Sequence, residues 1–149
     1  MREMRKFMGI FFTSLFLVVL TVGNVMAAEE KVGGVDPQSL VFQHPQYEQV
    51  MKQLKDIAEA KDQEARAAIA KESDNNKKAE IFQKMRMEVA EEERKLMQPI
   101  FKDIELAIRT VAAAKNVTVV VDKAALLFGG IDITEDVVQE IKRRSASGG

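Results

Sequence analysis

The fold is decided by one stretch, residues 45–115, which reads PQYEQVMKQLKDIAEAKDQEARAAIAKESDNNKKAEIFQKMRMEVAEEERKLMQPIFKDIELAIRTVAAAK. It contains no glycine, and Pro99 is its only proline after Pro45. Along both halves, apolar residues recur at spacings of three and four, as on one face of an α-helix. The stretch therefore predicts a long helical arm.

The middle of this arm carries its only cluster of turn-forming residues, Ser73 to Asn76. A turn here would produce an antiparallel helical hairpin whose arms are about 40 to 60 Å long. The alternative is one unbroken helix of about 105 Å, which would hold helix-disfavouring residues at its centre. Pro99 is expected to kink the second arm without ending it, because the apolar series continues beyond it.

The residues before the arm predict one short strand and one short helix. Val32–Val35 can form the strand. Asp36 is suited to cap a helix, and Pro37 is suited to its first position. His44-Pro45 then restarts the chain, since the residue before a proline is disfavoured in a helix.

The residues after the arm change from helical to β-branched character. The run Val117–Val121 predicts a strand that is apolar on both faces and covered on both. Leu126–Phe128 predicts a second short strand. Asp132 and Glu135 have the spacing of a capping box before a final helix, and residues 145–149 read as a flexible tail.

The first 27 residues have the order of a secretory signal peptide. Three basic residues at positions 2, 5 and 6 precede the almost wholly apolar segment 7–22, and Val25-Met26-Ala27 offers a cleavage site after Ala27. An uncleaved membrane anchor is the alternative. Cleavage would leave 19 basic and 22 acidic side chains, a net charge of −3. The sequence thus predicts export, and a periplasmic location fits the absence of cysteine.

The composition excludes several classes of function. Among the 149 residues there is no Cys and one His, His44. No thiol nucleophile, disulfide framework or multi-histidine metal site can therefore be built. The whole chain has 22 basic and 23 acidic residues, whereas a general nucleic-acid binder needs a basic surplus. No acid–base pair or cofactor loop appears, so we expect neither an enzyme nor a bound cofactor or metal.

The mature chain divides into an arm, residues 45–115, and a split body, residues 28–44 and 116–144. The folded part of this body has about 45 residues, which is below the size at which one core usually suffices. We therefore expect the body to close only between subunits of a homo-oligomer. Its doubly apolar strands supply the predicted oligomer core, which is Val117, Val119, Val121, Leu126 and Phe128.

The C-terminal part of the body also carries the most specific motif. The run VVVDKAALLFG at residues 119–129, followed by DIT at residues 132–134, resembles the Skp/OmpH family of periplasmic chaperones. Val35-Asp36 and the start of the first arm at His44-Pro45, with Tyr47 after it, are similar to that family as well. The resemblance covers essentially the whole mature chain, although the arms match by pattern only.

The resemblance implies a mostly helical α+β fold, in which a long antiparallel helical hairpin, or tentacle, stands on a small β-containing trimerisation body. It further implies a trimer whose three hairpins surround a cavity. Such a protein binds unfolded outer-membrane proteins in the periplasm and prevents their aggregation without ATP. The best-known members are strongly basic, whereas this chain is not, which weakens the expectation of contact with lipopolysaccharide.

The second arm holds the candidate client-binding residues. Methionine side chains are flexible and suit binding surfaces that accept varied partners. Ile81 and Met85 also lie on the expected hairpin seam, whereas Phe82 and Met87 lie off it. The candidate set for client binding is Phe82, Met87, Met97, Ile81 and Met85. Residues 71–88 carry five basic and four acidic side chains, so electrostatic capture of clients would be weak.

Two hypotheses about function follow from these residues. The first is an ATP-independent periplasmic holdase for unfolded outer-membrane proteins. The second, from another class, is an exported coiled-coil structural or adaptor protein with one fixed partner. A holdase needs dispersed apolar contacts, whereas an adaptor needs a localised hot spot.

Overall fold

The computed structural model describes residues 30–148. The predicted signal peptide, residues 1–27, lies outside the described residues. In the described part the chain forms a strand, a short helix, two long helices, two further strands and a final helix. This arrangement confirms the expected fold class, which is mostly helical α+β with a helical hairpin and a small sheet.

The first elements of the body have the predicted positions. Strand β1 is Val32–Val35, and helix α1 is Pro37–Phe42. The Asp36 carboxylate accepts the backbone N–H of Ser39 at 3.1 Å, which satisfies one of the unpaired donors at the helix start. Pro37 occupies the first turn, where its missing N–H costs nothing.

The long arm is a helical hairpin, as predicted. Helix α2 is Tyr47–Lys71 and helix α3 is Asn75–Ala114. The three residues between them form the turn, and the Asp74 carboxylate accepts the Asn76 N–H at 2.7 Å. The alternative of one unbroken helix is therefore wrong. Helix α2 begins two residues later than the arm boundary drawn at Pro45, because residues 43–46 form a turn.

Pro99 lies inside α3, and the helix continues past it for 15 residues. The residues that follow pack into the core, and Ile100 and Ala107 are fully buried. This burial outweighs the backbone hydrogen bond that a proline cannot make. The expectation that Pro99 does not end the helix is thus confirmed.

One core joins the body to the near end of the hairpin. We call this near end the arm root: the first two turns of α2, which supply Val50 and Leu54, and residues 100–111 of α3. Between residues 55 and 95, Ala65 is the only buried residue. The distal seam therefore contributes little apolar burial. The buried core cluster is Val35, Leu40, Val50, Leu54, Ile100, Ile104, Ala107, Val111, Ile133, Val137, Val138 and Ile141.

The sheet of the described chain has three parallel strands, and the two later strands lie on either side of β1. Strand β2 is Val119–Asp122 and pairs with β1 so that Val32 lies opposite Val119. Strand β3 is Ile131–Asp132 and pairs with the other edge of β1. The first strand of the chain is therefore the central one.

The prediction of a strand at Leu126–Phe128 is wrong, and the third strand lies at Ile131–Asp132 instead. After β2 the chain makes a 3₁₀ turn over Lys123–Ala125, which the Asp122 carboxylate caps through the Ala124 N–H at 2.8 Å. This turn directs the Leu126 side chain toward Gly34 rather than into a ladder. Gly129 and Gly130 then take left-handed conformations that bring the chain back to β1.

The final helix, α4, is Thr134–Ala146. The predicted capping box does not form, because Asp132 accepts the backbone N–H of Thr134 at 2.9 Å and Glu135 bonds Gln139 instead. The Thr134 hydroxyl donates to Asp132 at 2.6 Å and accepts the Asp36 N–H at 3.0 Å. The starts of α1 and α4 are thus tied together.

The sequence predicted that the final helix ends at Arg144 and that a flexible tail begins at Ser145. Helix α4 instead ends two residues later, at Ala146. Ser145 and Ala146 are helical, and the Ser147 N–H bonds the carbonyls of Arg143 and Arg144. Gly148 follows with a φ of 73°, the left-handed conformation that commonly terminates helices. The helical boundary is therefore set by a glycine stop signal rather than by the basic residues.

The hydrogen bonds at Asp132 lead to a prediction about pH. The Thr134 hydroxyl, the Thr134 N–H and the Lys123 ammonium lower the pKa of Asp132 to about 2. Because the folded chain keeps this carboxylate ionised to lower pH, its contribution to the free energy of unfolding is present above about pH 4 and is lost as the pH falls toward 2. Asp132→Asn should therefore lower the free energy of unfolding at pH 7, and the difference from the wild type should fade between pH 4 and 2.

Chemical denaturation followed by circular dichroism at several pH values measures this difference. Asp62→Asn is the matched control, since Asp62 pairs with Arg66 on the exposed arm at 2.6 Å and caps no helix. A difference for Asp132→Asn that stays constant from pH 7 to pH 2 would contradict the assignment.

Candidate functional site

The candidate client-binding residues do not form one patch. Ile81 and Met85 are half-buried and face α2, as expected for the hairpin seam. Phe82 and Met87 are 43% and 66% exposed, on other faces of α3. Met97 packs against the core cluster at the arm root. The structure thus leaves Phe82 and Met87 as the members of this set that a partner can reach directly.

A shallow groove of about 410 Å³ runs between the helices near the tip of the hairpin. Its floor is apolar, with Ala65 and Ala68 from α2 opposite Ile81 and Met85 from α3. The alanines are too small to fill the seam, and they leave this space between the arms. The distal hairpin is therefore more loosely packed than the arm root.

An ion pair closes one side of this groove. The Lys61 ammonium on α2 lies 2.9 Å from the Glu88 carboxylate on α3. Its hydrogen bond lowers the pKa of Glu88 and, reciprocally, raises the pKa of Lys61. The two side chains are 34% and 38% exposed, so solvent screens the attraction and the pair contributes little to the free energy of unfolding.

The outer face of α3 carries a second surface. Met87 lies in an open depression of about 630 Å³ whose rim includes Glu80, Lys84, Glu91 and Arg94. Charges of both signs therefore surround one flexible apolar side chain. Such a surface can bind partners of varied sequence, since it offers apolar contact without a preference for one sign of charge.

Further exposed apolar side chains were missed by the sequence analysis. Phe101 is exposed on α3, two heptads after Met87, and this spacing was the signal that could have identified it. At the arm root, Phe42 and Tyr47 contact edge to face with ring centroids 5.2 Å apart, and Met51 is exposed one turn after Tyr47. Apolar contact points thus occur along the hairpin from tip to root.

The residues of the predicted oligomer core differ in their exposure within the chain. Val117 is buried within the chain itself, whereas Val119 is exposed and Val121 and Leu126 are half-buried. Phe128 and its neighbour Leu127 are fully exposed, and Ile131 is exposed beside them. Leu127 and Ile131 were not in the predicted set. A run of apolar side chains at the outer edges of the sheet is therefore accessible.

Two of the described strands, β2 and β3, have unpaired outer edges within the chain. An exposed edge presents backbone donors and acceptors that can pair with another chain.

Among residues 30–148, none of the helices combines the length and the apolar character that a membrane span requires.

Comparison with known proteins gives one family match, which covers slightly less than half of the chain. Residues 70–141 match the model of a family described as outer membrane protein (OmpH-like). The matched segment contains all of α3, both outer strands and the first eight residues of α4. The match confirms the resemblance that the VVVDKAALLFG and DIT motifs indicated. A search of curated proteins found no match to this chain.

Proposed function

Because residues 70–141 carry an OmpH-like domain, which indicates a chaperone-type function toward outer-membrane proteins, we propose that this chain is an ATP-independent periplasmic holdase. It binds unfolded outer-membrane proteins and prevents their aggregation. The observation that carries the proposal is the distribution of exposed apolar side chains on the arm. Phe82, Met87 and Phe101 lie in three separate depressions of α3, and charges of both signs surround Met87 and Phe101.

This distribution suits a client that has no fixed structure. Each exposed side chain, such as Phe82, Met87 or Phe101, offers one apolar contact of limited area. Several such contacts along a hairpin about 60 Å long can hold an extended chain without a specific complementary surface. The client leaves when its own folding or insertion buries the same apolar groups. No nucleotide is needed for either step.

The proposal includes assembly into a homotrimer through the body. Leu127 and Phe128 are fully exposed beside the outer edges of the sheet, and Val119 is exposed on β2. A second chain would cover these side chains and could complete the pairing of the strand edges. The three hairpins would then project from one body and enclose a common cavity.

The rival function is a structural or adaptor protein with one fixed partner. Such an interface concentrates its binding energy in a few residues, where one truncation costs about 2 kcal/mol or more. The described arm shows no compact cluster of exposed aromatic residues near its tip, where Phe82 is the only ring. The dispersed pattern favours the holdase.

A light-scattering assay tests the proposal. An unfolded outer-membrane protein is diluted from denaturant with and without the mature chain, and we expect the chain to suppress aggregation. Phe82→Ser or Met87→Ser alone should weaken client binding about two- to fivefold, corresponding to roughly 0.4–1 kcal/mol, and the two changes together should weaken it further. Met97→Ser is unsuitable, since Met97 packs against the core.

Gln63→Ser provides the matched control, because Gln63 is an exposed polar residue on α2 that lines neither the Phe82 nor the Met87 depression. It should leave client binding unchanged. Two results would count against the holdase: unaltered aggregation in the presence of the chain, or a single substitution that abolishes binding as a hot spot does.

A further inference from the structure

We propose that Asp103, Arg144 and His44 form a polar joint that fixes the direction of the arm relative to the body. The three residues come from three segments: α3 of the arm, α4 of the body and the turn between α1 and α2. Arg144 Nε donates to Asp103 Oδ1 at 2.7 Å, and His44 Nε2 lies 3.4 Å from Asp103 Oδ2. One carboxylate therefore contacts both other segments.

The histidine is held rigidly at this joint. It is 4% exposed, and its Nδ1 accepts the backbone N–H of Gln46 at 3.2 Å. An imidazole nitrogen that accepts a hydrogen bond carries no proton, so the proton of the neutral ring is on Nε2. That N–H faces Asp103. His44 thus bonds Gln46, the residue before α2, and places its ring 3.4 Å from the carboxylate on α3, a contact that is not a hydrogen bond.

The joint lies where directional contacts matter most. Two ion pairs connect α4 to the C-terminal part of the arm: Lys115, the residue after α3, with Asp136 at 3.0 Å, and Asp103 on α3 with Arg144 at 2.7 Å. The first pair is at the base of the body, and the second is at the level where the hairpin leaves it. Apolar packing at the arm root is non-directional and permits small rotations. A charged, two-sided contact at this level restricts them.

The charges of the joint explain why Asp103 is its essential member. Lys102, Arg144, His44 and Asp103 line one cavity. Within it, the Asp103 carboxylate pairs with Arg144 and lies 3.4 Å from His44 Nε2. Without that carboxylate, Arg144 loses its ion-pair partner, and the buried His44 Nε2, which makes no hydrogen bond within the described residues, loses the negative charge beside it. We therefore assign Asp103, Arg144 and His44 as positioning residues and not as client contacts.

The consequence for function rests on the proposed holdase role. If the hairpins are the walls of a client cavity, the angle at the arm root sets the width of that cavity. The joint would then determine which client sizes the assembly can enclose.

Distance measurements by pulsed electron paramagnetic resonance test the joint directly. The chain contains no native cysteine, so Ser73→Cys at the hairpin turn and Gln139→Cys on α4 place one spin label on each unit. Labelled chains are diluted with excess unlabelled chains so that distances within one chain dominate. Asp103→Asn should broaden the distance distribution about twofold, as expected for a hinge that loses a polar restraint.

Glu105→Gln is the matched control. This change also removes an α3 carboxylate that pairs with an arginine at 2.6 Å. However, that arginine, Arg109, lies on the same helix as Glu105, so the pair does not join the arm to the body. It should leave the distribution unchanged. His44→Asn, whose amide oxygen can replace Nδ1 as the acceptor for Gln46, should give an intermediate width, because its shorter side chain has no N–H at the position of Nε2, beside Asp103.

An unchanged distribution in folded Asp103→Asn would overturn the proposal. If Asp103→Asn fails to fold, Arg144→Lys takes its place, since lysine keeps the charge but not the directed Nε contact, and an unchanged width there overturns the proposal equally. Equal broadening in Glu105→Gln would also refute it. Client capture is measured separately, so a chain with a fixed arm that captures no client refutes the holdase and leaves the joint intact.

Discussion

A chain in which residues 59–90 are replaced by a loop of about four Gly and Ser residues should lose most of its ability to keep an unfolded outer-membrane protein in solution. The deletion removes the two arms at the same level, because Lys61 on α2 lies opposite Glu88 on α3. It takes away Phe82, Met87 and the distal groove. If the arms are the walls of the client cavity, the remaining protein has no enclosed surface.

The body should survive this deletion. The residues that join the hairpin to the body, Val50 and Leu54 on α2 and Ile100 on α3, all lie outside the deleted segment. Sedimentation should therefore show the same oligomeric state as the full chain, and circular dichroism should show a cooperative transition. Light scattering then reports client protection. Full protection by the armless oligomer would show that the arms are not the binding element.

The second large effect is expected from Gly33→Ala in the central strand. A Cβ at this position would lie 2.9 Å from Val117 Cγ1 and 3.2 Å from Ile133 Cδ1. Both neighbours are buried, and their branched side chains have few alternative rotamers. Overpacking of this kind costs about 1–3 kcal/mol, and we expect the free energy of unfolding to fall by that amount in chemical denaturation.

The double variant Gly33→Ala with Val117→Ala provides the control. Val117→Ala alone should destabilise the core by creating a cavity, but it also removes the methyl group that the new Cβ would meet. The double variant should therefore be less destabilised than the sum of the two single changes, by about 0.5 kcal/mol or more. Simple additivity, or a Gly33→Ala chain as stable as the wild type, would contradict the packing seen at β1.

The hairpin could be predicted from the sequence because its signals are local and repeated. Periodic apolar residues extend over some 70 positions, and the turn at Ser73–Asn76 interrupts them once. The start of α1 was equally predictable, since Asp36 and Pro37 act on their immediate neighbours. Signals of this kind depend on backbone geometry within a few residues and need no knowledge of tertiary contacts.

The third strand could not be predicted in the same way. Leu126–Phe128 has the composition of a strand, whereas β3 is two residues long and is defined by its pairing with Gly33 and Gly34. Tertiary pairing overrode local propensity there. Met97 shows the same limit within the candidate site. It was grouped with exposed residues because of its type, and its packing against the core depends on elements distant in sequence.

The central position of β1 has a consequence for the order in which the chain folds. Its neighbours in space are far away in sequence: Lys31 bonds Thr118, 87 residues later, and Asp36 bonds Thr134, 98 residues later. Closing such long loops is slow, whereas contacts within a helix or a helical hairpin form early. An early hairpin brings the two ends of the arm together and shortens the loop that the sheet must close. Besides its proposed contact with clients, the arm therefore acts as a local scaffold that lowers the entropic barrier to forming its own body.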